Sequence, residues 1–323
     1  MTPGTRLAAL ALGVSVGFSG GAIVGTAAGP LQASGDVPAE SATPPSDHEP
    51  HHPDPSHAEH RAGSTSLPGG VLISQSGYSL EPETTALTGV PQETFGFRIV
   101  GPAGATVQAF EPRHERELHL VVVNRDLLTY LHLHPTRGAD GRWSVQLPGM
   151  PPGLYRGFAS FAVADGPELT LGVDLLVPGV VLPFAPLPAP TPIAPVDGYV
   201  VTLRGMPVAG VDTEVGFTVE RDGAVVTDLA PHLGAWGHLV ALRAGDLAYN
   251  HVHPVGVESG GTGPAESPPT EVPFRLEAPS PGDYRLFFDF AHGGGVHTAA
   301  FTVHVPADGE RPLKPPTTTV EAG

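Results

Sequence analysis

The strongest constraint on the fold of this chain is an internal repeat. Four sequence phrases recur in the same order, and the two copies of each phrase are 121, 120, 119 and 129 residues apart. The longest pair is LHLVVVNRDLLTYLHLHP, which begins at Leu118, and GHLVALRAGDLAYNHVHP, which begins at Gly237. The larger last offset reflects the insertion VESGGTGPAESPP after the second copy. A repeat at a nearly constant offset predicts two homologous domains with one common fold.

The pattern inside each repeat predicts β-structure. Apolar or alternating runs such as TFGFRIV, LHLVVV and LTLGVDLLV are separated by Gly, Pro, Asn or Asp. Roughly seven or eight such runs in about 110 residues are typical of a two-sheet β-sandwich. No stretch after residue 30 has the periodicity of an amphipathic helix. The predicted fold class is therefore all-β, with two tandem immunoglobulin-like or cupredoxin-like sandwich domains.

The chain divides into six predicted segments. These are a signal peptide or transmembrane anchor at 1–28, a disordered His/Asp/Pro-rich linker at 29–70, sandwiches at 71–178 and 196–306, a proline-rich linker at 179–195 and a disordered tail at 307–323. The apolar run Leu7–Ala28 would form a helix of about 33 Å, enough to span a bilayer core. Arg6 precedes the run and an acidic chain follows it, which predicts an N-inside orientation. The protein is therefore predicted to be extracytoplasmic, either anchored in the cell membrane or secreted after cleavage.

Composition excludes several classes of function. The formal net charge is −17 and the only lysine is Lys314, so no basic patch is available to bind nucleic acid. The absence of cysteine excludes disulfides, thiolate zinc sites and copper–thiolate centres. No nucleophile elbow, phosphate-binding loop or dinucleotide fingerprint occurs in a strand–helix setting. The chain is therefore predicted not to be an enzyme.

Both copies of the long phrase share the histidine pattern H-x12-H-x-H-P. The histidines are His119, His132 and His134 in the first copy and His238, His251 and His253 in the second. A hairpin with a two-residue turn, at 125–126 or 244–245, would place the first histidine of each motif opposite the second. The third histidine would lie on the same face, because strand side chains alternate. In the second copy this face also carries apolar residues, namely Val240, Leu242, Leu247 and Tyr249. We therefore expect the histidines to face the core of their own sandwich.

Three imidazoles on one face suit copper(II) or zinc(II), since both ions favour imidazole nitrogen. Further histidines could supply auxiliary ligands. They are His232, His292 and His297 in the second domain, His114 in the first, and His48, His51 and His52 in the N-terminal linker. Because the second domain has more of these histidines, it is the favoured site.

Two alternatives remain open. The histidines could hydrogen-bond one another and nearby carbonyls, as structural groups of a cell-surface structural or interaction protein. A zinc-bound water could also perform hydrolysis, although no general base is adjacent in the sequence.

The pattern His-Leu, Asp-Leu, His-x-His-Pro of the two long phrases resembles a family of exported, often membrane-anchored bacterial proteins with tandem β-sandwich domains. The order of anchor, His/Asp-rich linker and two domains is also similar to that family and covers most of residues 1–306. Such proteins are associated with heavy metals and with copper-handling systems, and they resemble YtkA-like and CopC-like sandwiches in outline. This chain has no N-terminal histidine ligand of the CopC kind and no methionine-rich loop. The resemblance therefore implies His-based copper(II) or zinc(II) binding, with a metal ion and the membrane as partners and the protein partner unidentified.

Overall fold

The computed structural model describes residues 67–255 and 267–307, except for the side chains of His251 and His253. These residues form strands and no helix, so none of them belongs to a helix that could cross a membrane. The predicted all-β class and the two repeated sandwich domains are confirmed.

Several predictions fall outside the described residues. They concern the anchor at 1–28, nearly all of the linker at 29–70 with His48, His51 and His52, and the tail from residue 308.

The first sandwich contains ten strands. They are β1 (Ser74–Gln75), β2 (Tyr78–Pro82), β3 (Glu93–Val100), β4 (Phe110–Glu111), β5 (Leu118–Asn124), β6 (Tyr130–Leu133), β7 (Thr136–Arg137), β8 (Trp143–Leu147), β9 (Gly153–Val163) and β10 (Glu168–Val177). One sheet has the order β1-β2-β3-β8-β7, and the other has the order β10-β9-β5-β6 with β4 beside β9.

Within its described residues, the second sandwich repeats this plan with ten further strands. They are β11 (Ile193–Val196), β12 (Tyr199–Arg204), β13 (Thr213–Arg221), β14 (Ala224–Val225), β15 (His238–Arg243), β16 (Tyr249–His251), β17 (His253–Pro254), β18 (Val272–Leu276), β19 (Gly282–His292) and β20 (Gly295–Val305). Its sheets have the orders β11-β12-β13-β18-β17, with β14 beside β13, and β16-β15-β19-β20.

Each sandwich has its own apolar core, and strand alternation decides which residues enter it. On β5, Leu118, Leu120 and Val122 point into the first core. On β15, Leu239 and Ala241 point into the second core. The odd-numbered residues of β5 and the even-numbered residues of β15, which include the histidines, therefore lie on the opposite face of their sheets.

That opposite face is buried between the two sandwiches, which belong to one compact unit. A third apolar cluster fills this junction and takes residues from both repeats: Val121, Val123, Leu127, Phe158, Val240, Leu242, Leu247, Tyr249 and Phe287. The prediction that the histidine face packs on its own sandwich core is therefore wrong. The face is apolar because it is buried against the other repeat. The sequence of one repeat cannot show whether such a face packs on its own sandwich or on a neighbouring one.

The predicted hairpin register is also wrong, by two residues. Val121 pairs with His132 in the first hairpin, and Val240 pairs with His251 in the second. Each connection therefore has four residues, 125–128 and 244–247, instead of two. In the first, Asn124 stabilises the longer loop because its side-chain oxygen accepts hydrogen bonds from the backbone of Leu128 and Thr129 at 2.9 and 2.7 Å. A shift of two residues keeps every side chain on its predicted face.

The segment before β1 also enters the junction. Gly69 accepts a hydrogen bond from the backbone of Tyr249 at 3.2 Å, and Gly70 donates one to Thr170 at 2.8 Å. Gly70 has φ +71°, and a Cβ there would lie 2.2 Å from the ring of Phe158. Glycine is therefore required at this position both for the backbone conformation and for the close approach.

Candidate metal centre

Three histidines of the first repeat converge at the junction. His119 lies on β5, His132 lies on β6, and His134 follows the end of β6. Their ring centroids are 5.4 Å apart for His119 and His132, 5.1 Å for His119 and His134, and 4.9 Å for His132 and His134. One nitrogen of each ring lies within 4.8 Å of the others. Side chains from both strands of one hairpin thus form a compact triad.

Hydrogen bonds on the outer side of the rings fix the tautomers of two histidines. His119 Nε2 lies 2.9 Å from the carbonyl of Arg113, which can only accept, so this nitrogen carries the proton. His132 Nδ1 lies 2.9 Å from a carboxylate oxygen of Asp289 and donates to it in the same way. While both rings are neutral, the remaining nitrogens, His119 Nδ1 and His132 Nε2, each keep a lone pair.

Those two lone-pair nitrogens are 3.2 Å apart and face one another. In these tautomers neither nitrogen carries a hydrogen, so the contact is not a hydrogen bond. A tetrahedral ion held at about 2.0–2.1 Å from each nitrogen would separate them by about 3.3 Å. The spacing of His119 and His132 therefore fits two ligands of one ion.

The third ring contributes an unsatisfied atom. His134 Nε2 is buried and has no hydrogen-bond partner among the described residues. A buried polar nitrogen without a partner costs free energy, about 1–3 kcal/mol for a typical group. Coordination of a metal ion would satisfy this nitrogen.

Two rings of the triad are held in the neutral form that metal binding requires. Burial lowers the pKa of His119 to about 2, and the neighbouring His132 lowers it further in the same direction. Burial likewise lowers the pKa of His134 to about 3. At neutral pH these rings therefore offer lone pairs with little competition from protons.

The second sandwich supplies a carboxylate that the sequence reasoning missed. Asp289 on β19 is only 3% exposed and accepts three hydrogen bonds. The donors are His132, the hydroxyl of Tyr130 at 3.1 Å and the hydroxyl of Thr298 at 2.5 Å. One sequence signal could have revealed it, since Asp289 is the only charge within the aromatic run LFFDFA, and a charge in a buried strand is unusual.

Tyr130 joins this carboxylate to the apolar junction. Its ring stacks on Phe287 of the second sandwich, with centroids 4.1 Å apart and an interplanar angle of 8°. Burial raises the pKa of Tyr130 well above its ordinary value, and the charge of Asp289 adds to this effect. Tyr130 therefore remains a hydrogen-bond donor to Asp289.

Two histidines of the second repeat whose side chains are described, His232 and His238, lie near the triad. The buried His238 donates from Nε2 to the carbonyl of His232 at 2.9 Å, and burial lowers its pKa to about 3. Its ring lies 6.5 Å from that of His119 and 6.0 Å from that of His132. The ring of His232 lies 6.2 Å from that of His134. These separations exceed those inside the triad by about 1 Å.

The other predicted ligands have different placements. His114 lies in the junction, with its ring 5.2 Å from that of His238. His292 and His297 instead lie on the core side of the second sandwich, where they bind Asp228 and Asp197 at 3.1 and 2.8 Å. The side chains of His251 and His253 lie outside the description, so the predicted second-domain site stays a prediction.

A small cavity of about 40 Å³ opens beside the triad, between the two sandwiches. Its lining includes His114, His119, His132 and His238. This volume can hold a water molecule or an ion, since a water needs roughly 10–15 Å³ measured in this way.

The solved structures to which the chain shows similarity include bacterial adhesins. The adhesin InvE of Yersinia pseudotuberculosis is 13% identical, with 72% of this chain and 60% of InvE covered and a TM-score of 0.22. The Escherichia coli adhesin FdeC is 12% identical, with 72% and 65% covered and a TM-score of 0.21. This chain therefore spans less than two thirds of either protein, and these similarities carry no functional argument.

No curated protein matches the chain. A family match does exist, to the domain of unknown function DUF8832, and it occurs twice, at residues 74–178 and 194–307. The two matches correspond to the two sandwiches and cover more than half of the 323 residues. The chain therefore belongs to the DUF8832 family.

Proposed function

We propose that this protein binds a divalent metal ion, zinc(II) or copper(II), outside the cytoplasm through His119, His132 and His134. The observation that carries the proposal is the 3.2 Å approach of two histidine nitrogens whose protons are held on the opposite side of each ring. The unsatisfied Nε2 of His134 supports it as a third ligand. The absence of cysteine favours ions that accept an all-nitrogen site.

The extracytoplasmic location rests on the sequence. The apolar run before residue 29 and the acidic remainder support export, with the N-terminal segment as a membrane tether. The resemblance to heavy-metal-associated exported proteins supports the same setting. The role proposed is binding, and the absence of enzymatic activity stays a prediction.

A second candidate is a cell-surface interaction protein in which the histidines are structural. The observation that favours it is the network of His132, Tyr130 and Asp289, which joins the two sandwiches without any ion. On this view the histidine cluster stabilises the junction, and the surface of the paired sandwiches makes the functional contacts.

Metal analysis separates the two candidates. The full chain, purified in detergent without a histidine tag, is titrated with Zn(II) and with Cu(II) beside the His132→Ala/His134→Ala variant. The N-terminal histidines contribute equally to both proteins, so the difference reports the junction alone. One additional tightly bound ion in the wild type supports the metal site. Equal binding by both proteins, with the variant folded, would support the structural candidate.

A further inference from the structure

The two halves of the junction share a tyrosine–phenylalanine contact but differ in the side chain that the tyrosine hydroxyl contacts. Tyr130 of the first repeat stacks on Phe287 of the second. Tyr249 of the second repeat contacts Phe158 of the first, with ring centroids 5.2 Å apart. The hydroxyl of each tyrosine contacts a side chain of the other repeat. In each case the contacted residue is the strand partner of the first histidine in that other repeat. Tyr130 hydrogen-bonds to Asp289, which pairs with His238 on the neighbouring strand. Tyr249 hydrogen-bonds to Ser160, which pairs with His119.

The difference between Asp289 and Ser160 affects which histidine nitrogens keep a lone pair. A neutral imidazole can place its single proton on either nitrogen, and the stronger acceptor decides which. A buried carboxylate on Nδ1 holds the proton there and leaves Nε2 free to coordinate. A serine hydroxyl, which can also donate, would not impose this tautomer. In the first repeat, the second histidine, His132, has such a carboxylate on its Nδ1, that of Asp289.

We propose that Asp289 is a positioning residue for the metal site, supplied by the second sandwich to His132 of the first. This inference rests on the proposed function and deepens it. All three proposed ligands belong to the first repeat, yet the tautomer of His132 is set across the junction. Metal affinity therefore depends on the docking of the two sandwiches.

The dependence is reciprocal. If docking raises the affinity for the ion by some factor, binding of the ion stabilises the docked state by the same factor. Loss of a carboxylate behind a metal-bound histidine typically weakens binding 10–100-fold. The ion should therefore tighten the junction, including strands of the second sandwich that contribute no ligand.

The first test compares Zn(II) affinity in the full chain among wild type, Asp289→Asn and Ser160→Ala. The two variants change equivalent positions and remove a polar contact from the same junction. We expect Asp289→Asn to bind 10–100-fold more weakly, and Ser160→Ala to bind within about 3-fold of wild type. Equal affinity of wild type and Asp289→Asn would overturn the inference but leave the metal site standing. Absence of binding in the wild type would instead remove the proposed function.

The second test distinguishes positioning from general stability. Long-range proton–nitrogen NMR spectra of metal-free protein report which nitrogen of His132 carries the proton. We expect Nδ1 in wild type and in Ser160→Ala, a mixture or Nε2 in Asp289→Asn, and recovery of Nδ1 in Asp289→Glu. A variant that is merely destabilised would keep the wild-type tautomer in its folded fraction, and this result would refute the positioning role.

The third test concerns coupling. Hydrogen exchange of the full chain with and without Zn(II) should show slower exchange on β19 of the second sandwich as well as on β5 and β6. Protection confined to β5 and β6 would show that the ion binds without tightening the junction.

Discussion

The two sandwiches present the same hairpin to their junction, yet the chemistry of the two halves differs. His119 lies opposite Ser160 on the neighbouring strand, and His238 lies opposite Asp289 at the equivalent position. The Asp289 carboxylate reaches across to His132 of the other repeat at 2.9 Å. A duplicated backbone therefore carries a neutral hydroxyl, Ser160, at the position where the other repeat carries a buried carboxylate, Asp289.

Substitutions in the apolar part of the junction should have the largest effects on the free energy of unfolding. Phe287→Ala and Phe158→Ala each remove a ring that is at most 2% exposed, and each should lower the free energy of unfolding by about 3–5 kcal/mol. Urea unfolding would measure both losses. Similar values would support an apolar junction shared equally by both repeats, and a clear inequality would show that one half dominates.

The buried histidines predict a pH dependence for the metal-free protein. His119 and His238 have pKa values near 6.5 when unfolded, but burial lowers them to about 2 and about 3 in the fold. Below pH 6.5 the unfolded chain therefore binds more protons, and stability falls as the pH is lowered towards 3. We expect these two groups together to cost about 3–4 kcal/mol between pH 7 and pH 5.

Urea unfolding in the presence of a chelator at the two pH values checks this expectation. A His119→Gln/His238→Gln variant serves as the control and should show a flatter profile. Equal wild-type stability at pH 7 and pH 5 would contradict the expected burial of neutral rings.

The comparison of His119→Ala with His238→Ala tests whether the repeats differ in metal binding. Loss of the ligand His119 should weaken Zn(II) binding more than about 100-fold, beyond the effect of losing an outer partner. Loss of His238, whose ring is 6.0–6.5 Å from the rings of His119 and His132, should change affinity only a few-fold. Competition with a chelator measures both, and comparable losses would mean that His238 is also a ligand.

The two junction tyrosines give the smallest expected difference. Tyr130→Phe removes a hydrogen bond to the Asp289 carboxylate and should cost about 1.5–3 kcal/mol of stability, as bonds to charged groups do. Tyr249→Phe removes a contact with the neutral Ser160 and should cost about 0.5–1.5 kcal/mol. Thermal unfolding of the two variants measures both losses. A larger loss for Tyr249→Phe would contradict the expectation that the hydrogen bond to Asp289 contributes more stability than the contact with Ser160.

Much of the first repeat's site could be anticipated locally. The two-residue spacing of His132 and His134 places both on one face of a strand, and a hairpin brings His119 to the same face for any even shift of register. The predicted register failed because Asn124 stabilises a four-residue loop. Asp289 could not be anticipated as a partner of His132, since 157 residues separate them along the chain and no local rule connects them.

The sequence by itself determined the duplication, the all-β class and the shared face of the histidines, because these depend on offset, strand alternation and turn chemistry. It also determined that no thiolate could take part in a metal site. Only the tertiary structure decided what the histidine face is buried against. An apolar face must be covered, but its sequence does not say whether the cover is its own sandwich or the neighbouring repeat. The docking of two repeats made that choice, and it brought the carboxylate of Asp289 to His132.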